Sequence, residues 1–218
     1  MTLILKTQIG SHAWDMATPE SDVDYFVCYA EPTRAVLDGT ARWKSRHIIQ
    51  DGIDQHIHEV GHVVKYLVVS PNWNFYEHVL SPVVDCLDGP QHNDTVRAGG
   101  STTMAGGLVR LTRSNLNKGV YEGLRGMSWH NYVRYAEKGK DVTPHHAQKI
   151  LRNICAGIRL FETGRFEMRP ISEGTWDDVP SLIESLDEAH AASNLPERPD
   201  ETPFRDWLFG IRMSLLDY

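Results

Sequence analysis

The sequence predicts an α+β protein, with a small mixed β-sheet in the first hundred residues and a helical lobe after it. Two observations carry this, and a third, the distribution of charge, bears on partners rather than on the fold. Runs rich in β-branched and aromatic residues fall before residue 60. The chain beyond residue 103 divides into segments bounded by helix caps and stops. The charge also changes sign along the chain: −6 over residues 1–100, +7 over 101–170 and −8 over 171–218.

The elements follow in order. Leu3 to Ile9 alternates as a short strand and stops at Gly10-Ser11. Asp22 to Ala30 is the strongest strand signal. His47 to Gln50 and Ile53 to Ile57 flank Asp51-Gly52, a dipeptide suited to the positive-φ turn of a hairpin. A helix entered near Glu59 runs through Val63 to Val69. Ser70 and Pro71 are expected to cap and open the next helix, through Leu80. Gly89-Pro90, Asn93-Asp94 and Gly99-Gly100 mark residues 84–102 as a loop between lobes. Helices are expected at roughly 103–115, 118–137, 143–162, 177–192 and 203–216, with Thr143-Pro144 and Thr202-Pro203 as starts and Gly164 as a stop.

Composition excludes several classes of protein. With 41% hydrophobic and 23% charged residues over 218 positions, the chain is neither disordered nor fibrous and can bury a sizeable core. Met1 to Lys6 turns polar too soon for a signal peptide, and no apolar run approaches the ~20 residues of a membrane span. Cys28, Cys86 and Cys155 are odd in number and widely spaced, which argues against a disulfide framework and for a reducing cytoplasm. The basic middle segment could face a phosphate-bearing partner. The acidic tail could equally pack on it and neutralise it.

The chemistry concentrates between residues 8 and 24. Alternate residues of a strand share a face, so Asp22 and Asp24 should project together. Two carboxylates that close repel unless cations neutralise them, and hard oxygen donors suit Mg²⁺. Gly10-Ser11 at a strand end offers backbone N–H groups and a hydroxyl to phosphate. Together these are the parts of a phosphoryl- or nucleotidyl-transfer site.

In order and spacing, Gly10-Ser11 followed by Asp22-Val23-Asp24 resembles the signature of the polymerase-β-like nucleotidyltransferase superfamily. The longer run from Gly10 to Asp24 is similar to a bacterial and phage nucleotidyltransferase subfamily associated with RNA-repair operons. So are Asn74 to Pro82, Gly139-Lys140 with His145-His146, and Leu160 to Gly164. The resemblance implies a catalytic domain over residues 1–100 and a helical C-terminal domain over 101–218. It implies Mg²⁺-dependent transfer of an NMP from an NTP to a hydroxyl acceptor, an RNA end being one candidate, with release of pyrophosphate. Asp22, Asp24 and a third acid would be the catalytic metal ligands for two Mg²⁺ ions, with Mn²⁺ as an alternative, and Gly10 and Ser11 would bind the nucleotide. Asp54 on the hairpin is the expected third acid and Glu59 the runner-up. Lys140, His146 and Lys149 could reach the triphosphate from the helical lobe.

Two other readings compete. One is a non-catalytic nucleotide-binding regulator, which retention of both Asp22 and Asp24 disfavours. The other is a zinc metallohydrolase, because His58-Glu59-Val-Gly-His62 matches His-Glu-x-x-His. Against it, Lys65 and Val68 stand where the extended pattern asks for Gly and His, and His58 should lie at a strand–helix junction. Histidines 56, 58 and 62 could hold adventitious zinc, and are read first as ordinary polar residues near an acidic site. Cys28 is read as core, and so are Trp73, Phe75 and Tyr76, a base-stacking platform being the alternative for these three rings. Tyr121, Trp129, Tyr132 and Tyr135, beside Arg125 and Arg134, either pack or offer a nucleic-acid surface.

Overall fold

The computed structural model describes residues 1–41, 44–50, 52–82, 104–137, 139 and 144–216. Four strands form one mixed sheet: β1 (Thr2–Ile9), β2 (Val23–Ala30), β3 (Ser45–Gln50) and β4 (Ile53–Glu59), in spatial order β1-β2-β4-β3. β1 runs antiparallel to β2, β2 parallel to β4, and β4 antiparallel to β3. The β3–β4 hairpin turns through Gly52 at φ +75°, the left-handed backbone that glycine adopts without steric cost. A parallel pair needs a long crossover; here the short helix α2 (Thr33–Leu37) and β3 supply it.

A four-residue helix, α1 (Gly10–Ala13), follows β1 directly. α3 (Val60–Val68) grows straight out of β4, with the Glu59 carboxylate capping the Gly61 N–H at 2.7 Å. The next helix, α4 (Trp73–Val79), begins two residues later than Ser70-Pro71 implied. The amides of Ser70 and Asn72 bond back to the carbonyls of Lys65 and Tyr66, so this segment closes α3. Asn72 is the true cap, accepting from the Asn74 N–H at 3.0 Å.

The helical part comprises α5 (Met104–Ser114), α6 (Tyr121–Tyr132), α7 (Pro144–Thr163), α8 (Val179–Ala192) and α9 (Thr202–Ser214). A 3₁₀ turn (Lys118–Val120) leads into α6 and a π turn (Val133–Glu137) leaves it. A Thr175–Asp178 capping box starts the turn before α8. Gly164, at φ +68°, ends α7 as expected. The expected loop over 84–102 lies outside the described residues, as does Cys86.

One apolar core runs from the sheet through the helices. Leu5, Phe26 and Cys28 contribute from the strands, Leu67, Trp73 and Tyr76 from α3 and α4, and Leu108, Leu124, Ile154, Leu186 and Phe204 from the later helices. Each of the leucine, isoleucine and phenylalanine side chains contributes about 1.5–3 kcal/mol through burial. α9 returns to the sheet: Thr33 donates its hydroxyl to the Arg212 carbonyl at 2.5 Å, and the Arg212 guanidinium pairs with Glu59 at 2.5 Å. Among the described residues, no helix is long and apolar enough to cross a membrane.

Candidate active site

The sheet register assembles the site. Ile9, the last residue of β1, pairs with Asp24 on β2, and Asp24 pairs with Asp54 on β4. Register partners on neighbouring strands share a face and lie about 4.8 Å apart. Asp24 and Asp54 therefore sit side by side on the face that Phe26 and Cys28 bury, at its open end. Gly10 follows Ile9 and adopts φ +69°. A Cβ there would lie 2.3 Å from Asp24 Oδ2, so the backbone of the Gly10-Ser11 segment abuts the carboxylate. Ser11 is buried at this junction.

Asp22 lies one residue outside the strand that carries Asp24. β2 starts at Val23, leaving Asp22 exposed just before the strand. Burial raises the Asp24 pKa first and the neighbouring Asp54 charge second; the Asp22 charge raises it least. Asp24 and Asp54 are thus register partners whose charges repel, and Asp22 has the weaker influence on Asp24. Lys149 on α7 and His56 pull the other way and favour the ionised form. Lys149 thereby brings a positive charge from the helical part to the site. Lys140 lies outside the described residues, and His146 stacks on Tyr135 with ring centroids 5.2 Å apart.

Glu59 is not at the site. It lies five residues along β4 from Asp54, about 16 Å away and on the opposite face. Its carboxylate is committed to Arg212 and the Gly61 N–H. This also removes the metalloprotease reading. That motif needs one helix to carry both histidines and a free glutamate. Here His58 is on β4, His62 on α3, and Glu59 is the cap between them. Their imidazoles stack with centroids 5.6 Å apart beside Phe75. Burial pushes the His58 pKa down to about 4, and that of His78 down to about 3.

Three features escaped the sequence reading. His47 on β3 stands opposite His56 on β4, their rings stacked at 4.6 Å, and its Nε2 hydrogen-bonds Asp54 Oδ1. The Asp51-Gly52 dipeptide in the sequence held the signal, because the hairpin expected there fixes which residues face each other. Secondly, Trp14 at the end of α1 donates its indole N–H to Glu77 at 2.6 Å, tying α1 to α4. Thirdly, Arg152 on α7 stacks over the Trp14 ring at 4.7 Å and lies 3.7 Å from Glu77. Arg152 is 5% exposed, and its Nε and Nη1 have no hydrogen-bond partner among the described residues. These contacts join the Gly10-Ser11 segment to both helices that flank it, and no local motif announces contacts so distant in sequence.

The basic segment is partly spent inside the molecule. Arg125 grips Asp187 of α8 with two nitrogens at 2.9 and 3.0 Å, and Lys118 pairs with Glu197 at 2.9 Å. Tyr121 donates to Asp187 at 2.7 Å and stacks on His190 at 3.8 Å. The acidic tail thus packs on the basic helices. Trp129 remains 43% exposed beside Tyr132.

Gly-Ser thus leaves β1 of a mixed four-stranded sheet, and acids stand in register on β2 and β4. The family model described as "RNA repair pathway DNA polymerase beta family" matches residues 1–198, and the chain belongs to that family. No curated protein sequence is similar enough to match. Among solved structures, a nucleotidyltransferase-like protein from Exiguobacterium sibiricum 255-15 aligns over 98% of this chain and 74% of its own, at 12% identity and a TM-score of 0.31.

Proposed function

We propose that the protein transfers a nucleoside monophosphate from an NTP to a hydroxyl acceptor, releasing pyrophosphate, and that the acceptor is an RNA end. Family membership supports the reaction class and favours RNA. The observation that carries the reading is the in-register pair Asp24 and Asp54 against the backbone of Gly10-Ser11. Residues 1–100 would form the catalytic domain and 101–218 the helical one.

Neighbouring acids fit divalent cations, because a bound cation relieves at neutral pH the repulsion that otherwise favours protonation of Asp24. Asp22, Asp24 and Asp54 would hold two ions, Mg²⁺ by default and Mn²⁺ as an alternative. When bound, such ions supply Lewis acidity to the phosphates and lower the pKa of the attacking hydroxyl. Asp54 would accept that hydroxyl proton as the acceptor oxygen bonds to the α-phosphorus. The bond from the α-phosphorus to the bridging oxygen breaks, and the electron pair leaves with pyrophosphate. Gly10 and Ser11 would hold the β- and γ-phosphates through the amides and hydroxyl, and Lys149 would offset the leaving group's charge.

Incubating the protein with each α-labelled NTP, Mg²⁺ and RNA bearing a free 3′ hydroxyl tests this. Label should enter the RNA, and not in Asp24→Asn. Label entering only protein or a small molecule would remove RNA as acceptor. No transfer with any NTP or acceptor, in Mg²⁺ or Mn²⁺, would reject the catalytic reading.

A further inference from the structure

We infer that His47 Nε2, His56 Nε2 and Asp54 Oδ1 form a three-donor site for one divalent transition-metal ion, with an open coordination position beside Asp24. The three donor atoms all lie within 4.8 Å of one another. Backbone geometry brings them together. Asp54 and His56 alternate on β4 and so share a face, and His47 is the register partner of His56 across the hairpin. The stacking of the two rings, 20° from parallel, holds both imidazoles in place. His56 Nε2 lies 3.7 Å from Asp54 Oδ1 and His47 bonds the same oxygen, so all three donors converge on one volume.

Chemistry selects the ion. Mg²⁺ prefers an all-oxygen octahedron and dehydrates reluctantly. Two imidazoles with one carboxylate suit Zn²⁺, Co²⁺ or Mn²⁺, with Zn²⁺ binding tightest of these in the usual affinity order. Three protein donors with a position left open is the arrangement of a catalytic rather than a structural zinc site. Two of the donors are also solvent-accessible, His47 at 51% and His56 at 40% side-chain exposure, so an ion can enter from solution. Where the ion takes part in catalysis, the inference rests on the nucleotidyl-transfer reading and makes one of its two metals a transition ion. The binding itself does not depend on that reading.

The full chain, stripped with chelator and exchanged into metal-free buffer, is titrated with ZnCl₂ by calorimetry and with MnCl₂ by electron paramagnetic resonance. One tight Zn²⁺ per chain is expected, retained against about 1,000-fold excess Mg²⁺. His47→Gln/His56→Gln should lower Zn²⁺ affinity by more than the ~10–100-fold that loss of an outer-shell partner costs. Its circular dichroism should match the parent; if it does not fold, His47→Gln alone serves. His58→Gln/His62→Gln should leave Zn²⁺ affinity unchanged. Equal Zn²⁺ affinity in the His47/His56 variant, displacement by equimolar Mg²⁺, or loss only in the His58/His62 variant would each overturn the inference. Intact Zn²⁺ binding with no nucleotidyl transfer under any condition would instead reject the proposed function alone.

Discussion

Gly10 cannot carry a side chain, because the carboxylate of Asp24 occupies the place where one would go: a Cβ would sit 2.3 Å from Asp24 Oδ2. The backbone at Gly10 also holds φ +69°, which L side chains rarely adopt. Gly10→Ala should therefore destabilise the fold by about 1–3 kcal/mol from backbone strain alone. It should cut nucleotidyl transfer by a larger factor than stability explains, since it displaces Asp24. Denaturant melts and kcat measured on the same preparation check this. Gly10→Ala/Asp24→Ala relieves the clash but not the strained φ, so it should recover part of the lost stability and none of the activity.

Asp24 is held above its ordinary pKa of 3.8 by burial first and Asp54 second. The folded chain therefore binds this proton more readily than the unfolded chain. Stability from this group falls as pH rises from about 3.8 through the raised value, then stays lowered. At neutral pH and without divalent ions, Asp24→Asn should melt higher than the parent, and the gap should shrink as pH drops through that window. Divalent ions should raise the parent's Tm more than the variant's. Activity should fall at least about 100-fold, because a lost metal ligand costs several kcal/mol of transition-state stabilisation. Full activity in the variant would refute the metal assignment.

Glu77 and Arg152 lie buried together under Trp14, each pushed by burial toward its neutral form and each held charged by the other. Removing one partner should cost about 3–5 kcal/mol. Arg152→Leu and Glu77→Gln should each lower Tm strongly. The double variant should lose clearly less than the two combined, and urea melts of all four proteins measure the coupling.

Glu59 separates the structural from the proteolytic reading of His58-Glu59-Val-Gly-His62. Glu59→Gln weakens the α3 cap and the bond to Arg212, a loss of about 1.5–3 kcal/mol for a charged hydrogen bond. Transfer activity per folded molecule should persist, and no peptidase activity should exist to lose. Peptide cleavage by the parent, abolished by this change, would reverse the assignment.

Arg125 is bound to Asp187 and is only partly exposed, so it is a poor hook for RNA phosphates. Arg125→Ala should cost no more than about 1 kcal/mol. It should barely change the salt dependence of RNA binding, whereas each lost phosphate contact lowers the log–log slope by about 0.7 for a single strand. Trp129→Ala, which removes an exposed ring beside Tyr132, should weaken RNA binding at every salt concentration if this face carries the acceptor. Filter binding at two salt concentrations compares the variants.

Local pattern alone determined most of the secondary structure here, because strand alternation, the Asp51-Gly52 turn and the helix stops act over a few residues. It also marked Gly10, Ser11, Asp22 and Asp24, since strand–Gly-Ser and acid–x–acid spacings are local too, whereas Asp54 was implied only by the family resemblance, which asks for a third acid on a neighbouring strand. Proline at 71 misled it, because whether such a residue opens one helix or closes the previous one depends on where the neighbouring amides bond. Tertiary structure decided which acid partners Asp24, since only the parallel β2–β4 register sets Asp54 beside it and sends Glu59 to the other face. The fold likewise brought His47 to Asp54, Arg152 to Trp14, and the acidic tail onto the basic helices. Those contacts join residues that are distant in sequence or on different strands, and the energy that selects them is burial and charge pairing across the whole core.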